Sequence, residues 1–184
     1  MNAQEQALVD LAAFLTEHEF PYMIIGGMAN AVWGNPRSTL DVDVTLWAAE
    51  AAHPRLVALL QSRYSSRVSD PLLFVQRTRV LPLVSVEGVA IDVMFGLLPF
   101  EQEAITRAIP RLIRGVPVRF CTAEDLILMK IISDRPKDID DARQVVTRQR
   151  SALDMEYLTP RVAELADLLG RPELLSRLSA WLDD

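Results

Sequence analysis

The sequence has 184 residues, of which 50% are hydrophobic and 24% are charged, and its formal net charge at pH 7 is −6. This length can bury the core of one domain, so we expect residues 1–184 to form a single domain, and the negative charge argues against broad, non-specific binding to nucleic acids. The single Cys121 excludes a disulfide framework, and no apolar run reaches membrane-spanning length or resembles a signal peptide, so we expect a cytoplasmic protein with no membrane partner.

The chain begins with the pattern of a helix, a strand and a short helix. An amphipathic helix is predicted from apolar residues at helical spacing, namely Leu8, Leu11, Ala12 and Leu15. A strand at residues 22–25 then meets Gly26 and Gly27, and a helix at 28–33 follows. Glycine at such a turn lets the backbone approach a phosphate closely, and the helix N-terminus supplies free N–H groups.

The next predicted strand, residues 40–47, carries two aspartates. Asp41 and Asp43 alternate with apolar residues, and side chains two residues apart on a strand point to the same face. Their mutual repulsion is unfavourable unless a cation lies between them. Mg²⁺ is commonly bound by one or two carboxylates together with substrate phosphates. The pattern therefore indicates a site of phosphoryl or nucleotidyl transfer.

The middle of the chain predicts most of a mixed β-sheet. A helix is expected near residues 50–62, followed by an antiparallel set of strands at 72–76, 79–86 and 89–95, with a tight turn at Glu87-Gly88. A helix near 99–108 and a strand or hairpin around residues 111–120, turning at Gly115, complete the α/β core of residues 1–120. Asp92 is the one charge in the strand at 89–95, and a solvent-facing edge position would also explain it.

Residues 121–184 predict a helical C-terminal part. Thr122 and Asp125 form the pattern of a capping box. Four helices are expected from residue 122 onward, interrupted at Pro136, at or near Pro160, and at residues 170–172.

The motif at residues 25–43 resembles the signature of the DNA polymerase β-like nucleotidyltransferase superfamily, which is an apolar residue, two small residues, a spacer and Asp-x-Asp. Ile25, Gly26, Gly27, Asp41 and Asp43 supply these positions. The stretch at residues 37–39, Arg-Ser-Thr, is most similar to the AbiEii/AbiGii-type toxin branch. Antibiotic nucleotidyltransferases more often carry Thr-Arg-x-His there, and this chain lacks that histidine.

The resemblance implies an α/β (α+β) nucleotidyltransferase fold, with a mixed sheet flanked by helices, and an NTP substrate. Asp41, Asp43 and Asp92 would be the catalytic residues and the metal ligands. They would hold two Mg²⁺ ions, or Mn²⁺ in their place, roughly 3.5–4 Å apart.

Further residues would bind the nucleotide. Gly26 and Gly27 would hold phosphates, together with Arg37 and Thr39. Lys130 lies in the apolar run at 126–132, where a lysine is seldom buried without a partner. The resemblance implies that it contacts the triphosphate, and a lysine extending to the surface is the alternative.

Asp138 and Asp141 resemble the acids of the Arg-Asp-x-x-Asp motif of the toxin branch, with Lys137 in the arginine position. Either acid could act as a general base or support Lys130. The alternative is that these acids only occupy the first turn of a helix that begins after Pro136, where acidic residues are favourable without any role in the site.

We expect transfer of NMP to an acceptor, with an RNA or tRNA end favoured, and the chain as the toxin of a toxin–antitoxin pair with an antitoxin protein as partner. Two alternatives stay open: a nucleotidyltransferase-fold binding partner with weak catalysis, and an antibiotic nucleotidyltransferase. The basic residues available for RNA lie in the middle of the chain, where an ordinary solvated surface explains them equally well: Arg107, Arg111, Arg114 and Arg119.

Overall fold

The computed structural model describes residues 2–36, 39 and 41–183. The chain divides into two compact units, which we name the sheet unit (Met1–Met28 with Ser38–Cys121) and the helical unit (Ala29–Arg37 with Thr122–Asp184). The predicted change from an α/β core at residues 1–120 to a helical part at 121–184 stays a prediction. The assignment of residues 29–37 to the helical unit was not predicted. That residues 1–184 form a single domain stays a prediction.

Within the described residues, the sheet unit contains a seven-stranded sheet in the order β3-β4-β5-β2-β1-β7-β6. The sheet is mixed, because β2 pairs in parallel with β5, and β1 with β7, while the other neighbours are antiparallel. The strands are β1 (Tyr22–Ile24), β2 (Asp41–Leu46), β3 (Ser65–Ser66), β4 (Val80–Val84), β5 (Ala90–Phe95), β6 (Ile109–Ile113) and β7 (Val116–Phe120). The predicted mixed sheet is thus confirmed.

Strands β2 and β5 lie next to each other near the centre of the sheet. Each alternates buried apolar residues with half-buried aspartates over its first residues, so one face of the pair packs into the core while the other carries the charges. Val42, Val44, Ile91 and Val93 are fully buried on the core face. The alternation that predicted these strands is therefore what presents the acids together.

The sheet unit also contains α1 (Ala3–Glu17), a 3₁₀ turn (Glu50–Ala52), α3 (His53–Gln61), α4 (Pro71–Thr78) and α5 (Pro99–Arg107), while α2 (Gly26–Trp33) begins in this unit and continues into the other. Helix α1 contacts β7 and β2 and buries Leu11 and Leu15 completely, as its spacing predicted. The predicted turns are confirmed by positive φ angles of 79° at Gly88 and 85° at Gly115.

The prediction of a strand at residues 72–76 is wrong, because this segment lies in α4. Asp70 caps the helix by accepting a hydrogen bond from the Leu73 N–H (3.0 Å), and Pro71 occupies the first turn. Arg79 ends it in the left-handed conformation, with a φ of 62°. An Asp-Pro start is a helix signal that outweighs the short run of apolar residues after it.

The helical unit contains α6 (Ala123–Ile131), α7 (Pro136–Gln149), α8 (Met155–Leu169) and α9 (Glu173–Asp183). Thr122 caps the start of α6, because its Oγ1 accepts a hydrogen bond from the Asp125 N–H (3.2 Å), which is the first of the two bonds of the predicted capping box. The expected interruption near Pro160 is displaced, because Pro160 lies inside α8 and the break precedes Met155. A proline there removes one backbone hydrogen bond, and the helix continues around it.

Candidate active site

Three carboxylates converge on the sheet unit. Asp41 and Asp43 lie two residues apart on β2, and the parallel register places Asp43 directly opposite Asp92 of β5. One oxygen from each carboxylate lies within 4.8 Å of the others, and all three residues are half-buried. The predicted cluster is therefore present in the geometry, with solvent access for a ligand. We name these three residues the acidic triad.

The start of α2 lies directly against this triad. A Cβ built on Gly26 would fall 2.0 Å from Asp43 Oδ2, and the residue has a φ of 62°. Any other side chain would displace the carboxylate and would also strain the backbone. Glycine is therefore required at position 26 by close approach to Asp43.

Thr39 holds the first aspartate of the triad. Its Oγ1 donates a hydrogen bond to Asp41 Oδ1 (2.8 Å), and its backbone carbonyl accepts one from the Gln4 amide. A Cβ on Gly27 would lie 2.5 Å from Thr39 Oγ1, so the second glycine leaves room for this threonine. The predicted contacts of Gly26, Gly27 and Thr39 with phosphates stay predictions, and Arg37 lies outside the described residues.

Sequence reasoning missed Arg67, whose guanidinium forms an ion pair with Asp92. Its backbone N–H bonds to the Pro82 carbonyl (2.9 Å), and Pro82 lies opposite Asp92 in the register of β4 and β5. Strand order thus brings the arginine beside the third carboxylate. The edge strand that positions it, Ser65–Ser66, has only two residues and gives no periodic signal.

In the helical unit, Lys130 is 6% exposed and lies between Asp138 and Asp141. Its Nζ donates to Asp138 Oδ1 and to Asp141 Oδ2, each at 2.8 Å. Asp141 also accepts a hydrogen bond from the Asn30 amide (3.2 Å). These contacts favour the supporting role of Asp138 and Asp141, since they show what neutralises the lysine in the interior.

Asp138 makes further contacts that hold it ionised. Burial raises the pKa of Asp138, but hydrogen bonds from Lys130 and Ser133, together with the charges of Lys130 and Arg135, outweigh it and lower the pKa below the ordinary 3.8. The Ser133 hydroxyl donates at 2.9 Å and Arg135 Nε lies at 2.6 Å. Asp138 is therefore held as a carboxylate at neutral pH.

Arg114 and Arg119, which were considered for RNA, have internal partners. Arg114 pairs with Glu5 (3.1 Å), and Arg119 donates to the Ala108 carbonyl (2.6 Å).

None of the helices in the described part of the chain has the length and apolar character needed to span a bilayer.

The chemistry of the acidic triad fits a divalent cation. Three carboxylates supply hard oxygen ligands, and Gly26 allows the Asp43 carboxylate to pack against the start of α2. Asp41, Asp43 and Asp92 are the residues that could hold such a metal.

Solved structures of other proteins share this fold. An antigenic nucleotidyltransferase-like protein from Paracoccidioides brasiliensis has 21% identity and a TM-score of 0.54, over 96% of this chain and 92% of that one. The antibiotic-resistance factor ANT(2'')-Ia has 18% identity and a TM-score of 0.58, over 94% and 97%. The lincosamide antibiotic adenylyltransferase LnuA has 14% identity and a TM-score of 0.50, over 79% and 96%. The predicted nucleotidyltransferase fold is confirmed.

Sequence comparison gives a consistent result at the level of the family. No curated protein matches this chain significantly in sequence. The superfamily resemblance is supported by a family model, whereas the assignment to the toxin branch stays a prediction. That model matches residues 6–173, and the chain therefore belongs to the family described as Nucleotidyltransferase of unknown function (DUF6036).

Proposed function

We propose that this protein is an active, Mg²⁺-dependent enzyme that transfers NMP from an NTP to an acceptor hydroxyl and releases pyrophosphate. The observation that carries the proposal is the acidic triad with Gly26 packed against it. Like charges held this close are favourable where a cation is bound. A protein that used the fold only for binding would not require this arrangement.

Each residue of the site has a proposed task. Asp41, Asp43 and Asp92 hold Mg²⁺, or Mn²⁺ in its place. A bound metal would neutralise phosphate charge and orient the α-phosphate. Thr39 keeps Asp41 in position through its hydrogen bond. Gly26 brings the N-terminus of α2 to the site, where free backbone N–H groups favour a phosphate.

The transfer itself balances without a covalent enzyme intermediate. The acceptor oxygen forms a bond to the α-phosphorus, and the bond between this phosphorus and the bridging oxygen of pyrophosphate breaks. The proton of the hydroxyl passes to the carboxylate of Asp92. Asp138 and Asp141 hold Lys130 and stabilise α6 against α7, a support role that their contacts favour. Arg37 is assigned to the phosphates by the resemblance alone.

For the acceptor we propose an RNA or tRNA end, with the chain as the toxin of a toxin–antitoxin pair. Small antibiotics are the second candidate, because ANT(2'')-Ia and LnuA share the fold over most of this chain. The residues at 37–39 favour the first candidate, since the histidine typical of the antibiotic group is absent.

The test uses NTPs labelled at the α-phosphate, incubated with the protein, Mg²⁺ and either total RNA or a panel of aminoglycosides and lincosamides. We expect labelled RNA that disappears when EDTA is added. Label on an antibiotic with RNA untouched would change the acceptor and keep the reaction class. No label on any acceptor, together with no binding of NTP, would refute the proposed function.

A further inference from the structure

A cavity in the sheet unit is lined by Arg67, the partner of Asp92, and is not explained by the nucleotide site. Its volume is about 450 Å³, and Arg67, Asp70, Phe74 and Arg77 are among the residues that line it. This is within the range of small-molecule sites, roughly 300–1,000 Å³. The cavity lies between the segment after β3 and helix α4.

The charged groups of this cavity favour an anion. Arg67 and Arg77 contribute two guanidinium groups, while Asp70 contributes one carboxylate. That carboxylate already accepts the Leu73 N–H at the start of α4 (3.0 Å), so part of its hydrogen-bonding capacity is used. Planar guanidinium groups with several donors suit phosphate, and Arg77 would repel a polycationic ligand. Arg67 adds to this preference when its guanidinium is released from the ion pair with Asp92.

Arg67 connects the cavity to the reacting centre. It lines the cavity and also forms the ion pair with Asp92. A divalent ion bound by the triad would compete for the same carboxylate and repel the guanidinium. The arginine would then be free to bind an anion in the cavity, beside the carboxylate that receives the proton.

From these contacts we propose that the cavity binds the acceptor, and that the acceptor carries a phosphate close to its reacting hydroxyl. Arg67 and Arg77 bind that phosphate, and the half-buried ring of Phe74 provides an apolar surface for the remainder of the terminal nucleotide. The inference rests on the proposed function and narrows its acceptor. Under this inference, the acceptor is a phosphate-bearing molecule and not a cationic antibiotic.

The experiment compares Arg77→Glu, Arg77→Lys and a matched control, Arg55→Glu. Arg55 is an exposed arginine of α3 in the same unit, and its replacement makes the same change in net charge. Initial rates are measured with an RNA oligonucleotide bearing a 3′-hydroxyl, with a nucleoside monophosphate and with an aminoglycoside. Binding of NTP and Mg²⁺ is measured separately for each protein.

We expect Arg77→Glu to raise KM for the phosphate-bearing acceptor by about 10- to 100-fold, as for the loss of a hydrogen bond to a charged group. The slope of log KM against log salt should become shallower by about 1, because one phosphate contact is lost. Arg77→Lys should retain most of the affinity. The oligonucleotide and the monophosphate together show whether a strand or a single nucleotide is the acceptor.

Two results would overturn the inference. One is an equal KM for the Arg77→Glu and Arg55→Glu proteins, and the other is efficient labelling of the aminoglycoside that Arg77→Glu improves. Either result leaves the transfer reaction standing, since the native protein would still use NTP. Failure of the proposed function would instead appear as no binding of NTP and no transfer by the native protein.

Discussion

Replacing Gly26 with alanine is the sharpest test of the site. The new Cβ would lie 2.0 Å from Asp43 Oδ2, where ordinary contacts begin at 3.4 Å, so the carboxylate must move by more than about 1 Å. A displacement of about 1 Å at a reacting centre reduces rates roughly 100-fold. The left-handed backbone adds a cost of about 1–2 kcal/mol to the free energy of folding.

Gly88→Ala is the matched control for this substitution. Gly88 also has a positive φ, 79°, but in the described residues no heavy atom beyond its chain neighbours lies within 4 Å of the place that the new methyl group would take. Gly88→Ala should therefore lose about 1–2 kcal/mol of stability by urea titration, and Gly26→Ala at least as much. Only Gly26→Ala should lose transfer activity and affinity for Mg²⁺.

The reasoning would be refuted if Gly26→Ala, folded and as stable as Gly88→Ala, transferred NMP at a rate within threefold of the native rate. In that case Asp43 does not need the position in which the glycine leaves it. Pyrophosphate release under saturating NTP supplies the rate, and isothermal titration supplies the metal affinity.

Three further outcomes are expected. Asp41→Asn with Asp43→Asn should abolish Mg²⁺-dependent transfer while the melting temperature is unchanged or raised, because like-charge repulsion is relieved; residual metal-dependent transfer would contradict this. Lys130→Met should lower the free energy of unfolding by about 3–5 kcal/mol in denaturant titration, since it leaves the buried carboxylates of Asp138 and Asp141 without their cation; an unchanged midpoint would show that the ion pairs are not needed. Because the pKa of Asp138 is lowered in the folded state, its contribution to stability is present above the ordinary value of 3.8 and is lost as the pH falls through the folded-state pKa. The urea midpoint should therefore fall on acidification below about pH 4, less steeply in Asp138→Asn, and parallel pH profiles would exclude this group as a cause.

The acidic triad could be predicted from sequence because its geometry is local to strands. Alternation in β2 aims Asp41 and Asp43 to one face, whereas Asp92, the one charge of an apolar strand, was assigned to the site through the family resemblance. Parallel pairing of the two strands depends on chain topology and came only from the structure. The register of β2 and β5 shows which residues lie opposite each other, and periodicity alone cannot predict this.

Other features depend on contacts that no short pattern contains. Arg67 reaches Asp92 through a two-residue edge strand and the neighbouring β4. Lys130 was recognised as unusual and its support by Asp138 or Asp141 was one option, but only the packing of α7 on α6 shows that both acids contact it. Side-chain contacts between separate elements are set by packing, and this is where inference from one sequence ends.

The direct opposition of Asp43 and Asp92 across two parallel strands has a consequence for folding. A slip of one residue between β2 and β5 would turn Asp92 to the core face and bring an apolar neighbour, Ile91 or Val93, to the site. A misaligned sheet would thus lack a complete set of ligands. Any ion that binds all three carboxylates recognises only the correctly aligned strands and shifts the population toward them. Ion binding at the acidic triad would therefore favour the correct register of β2 and β5 over the slipped one.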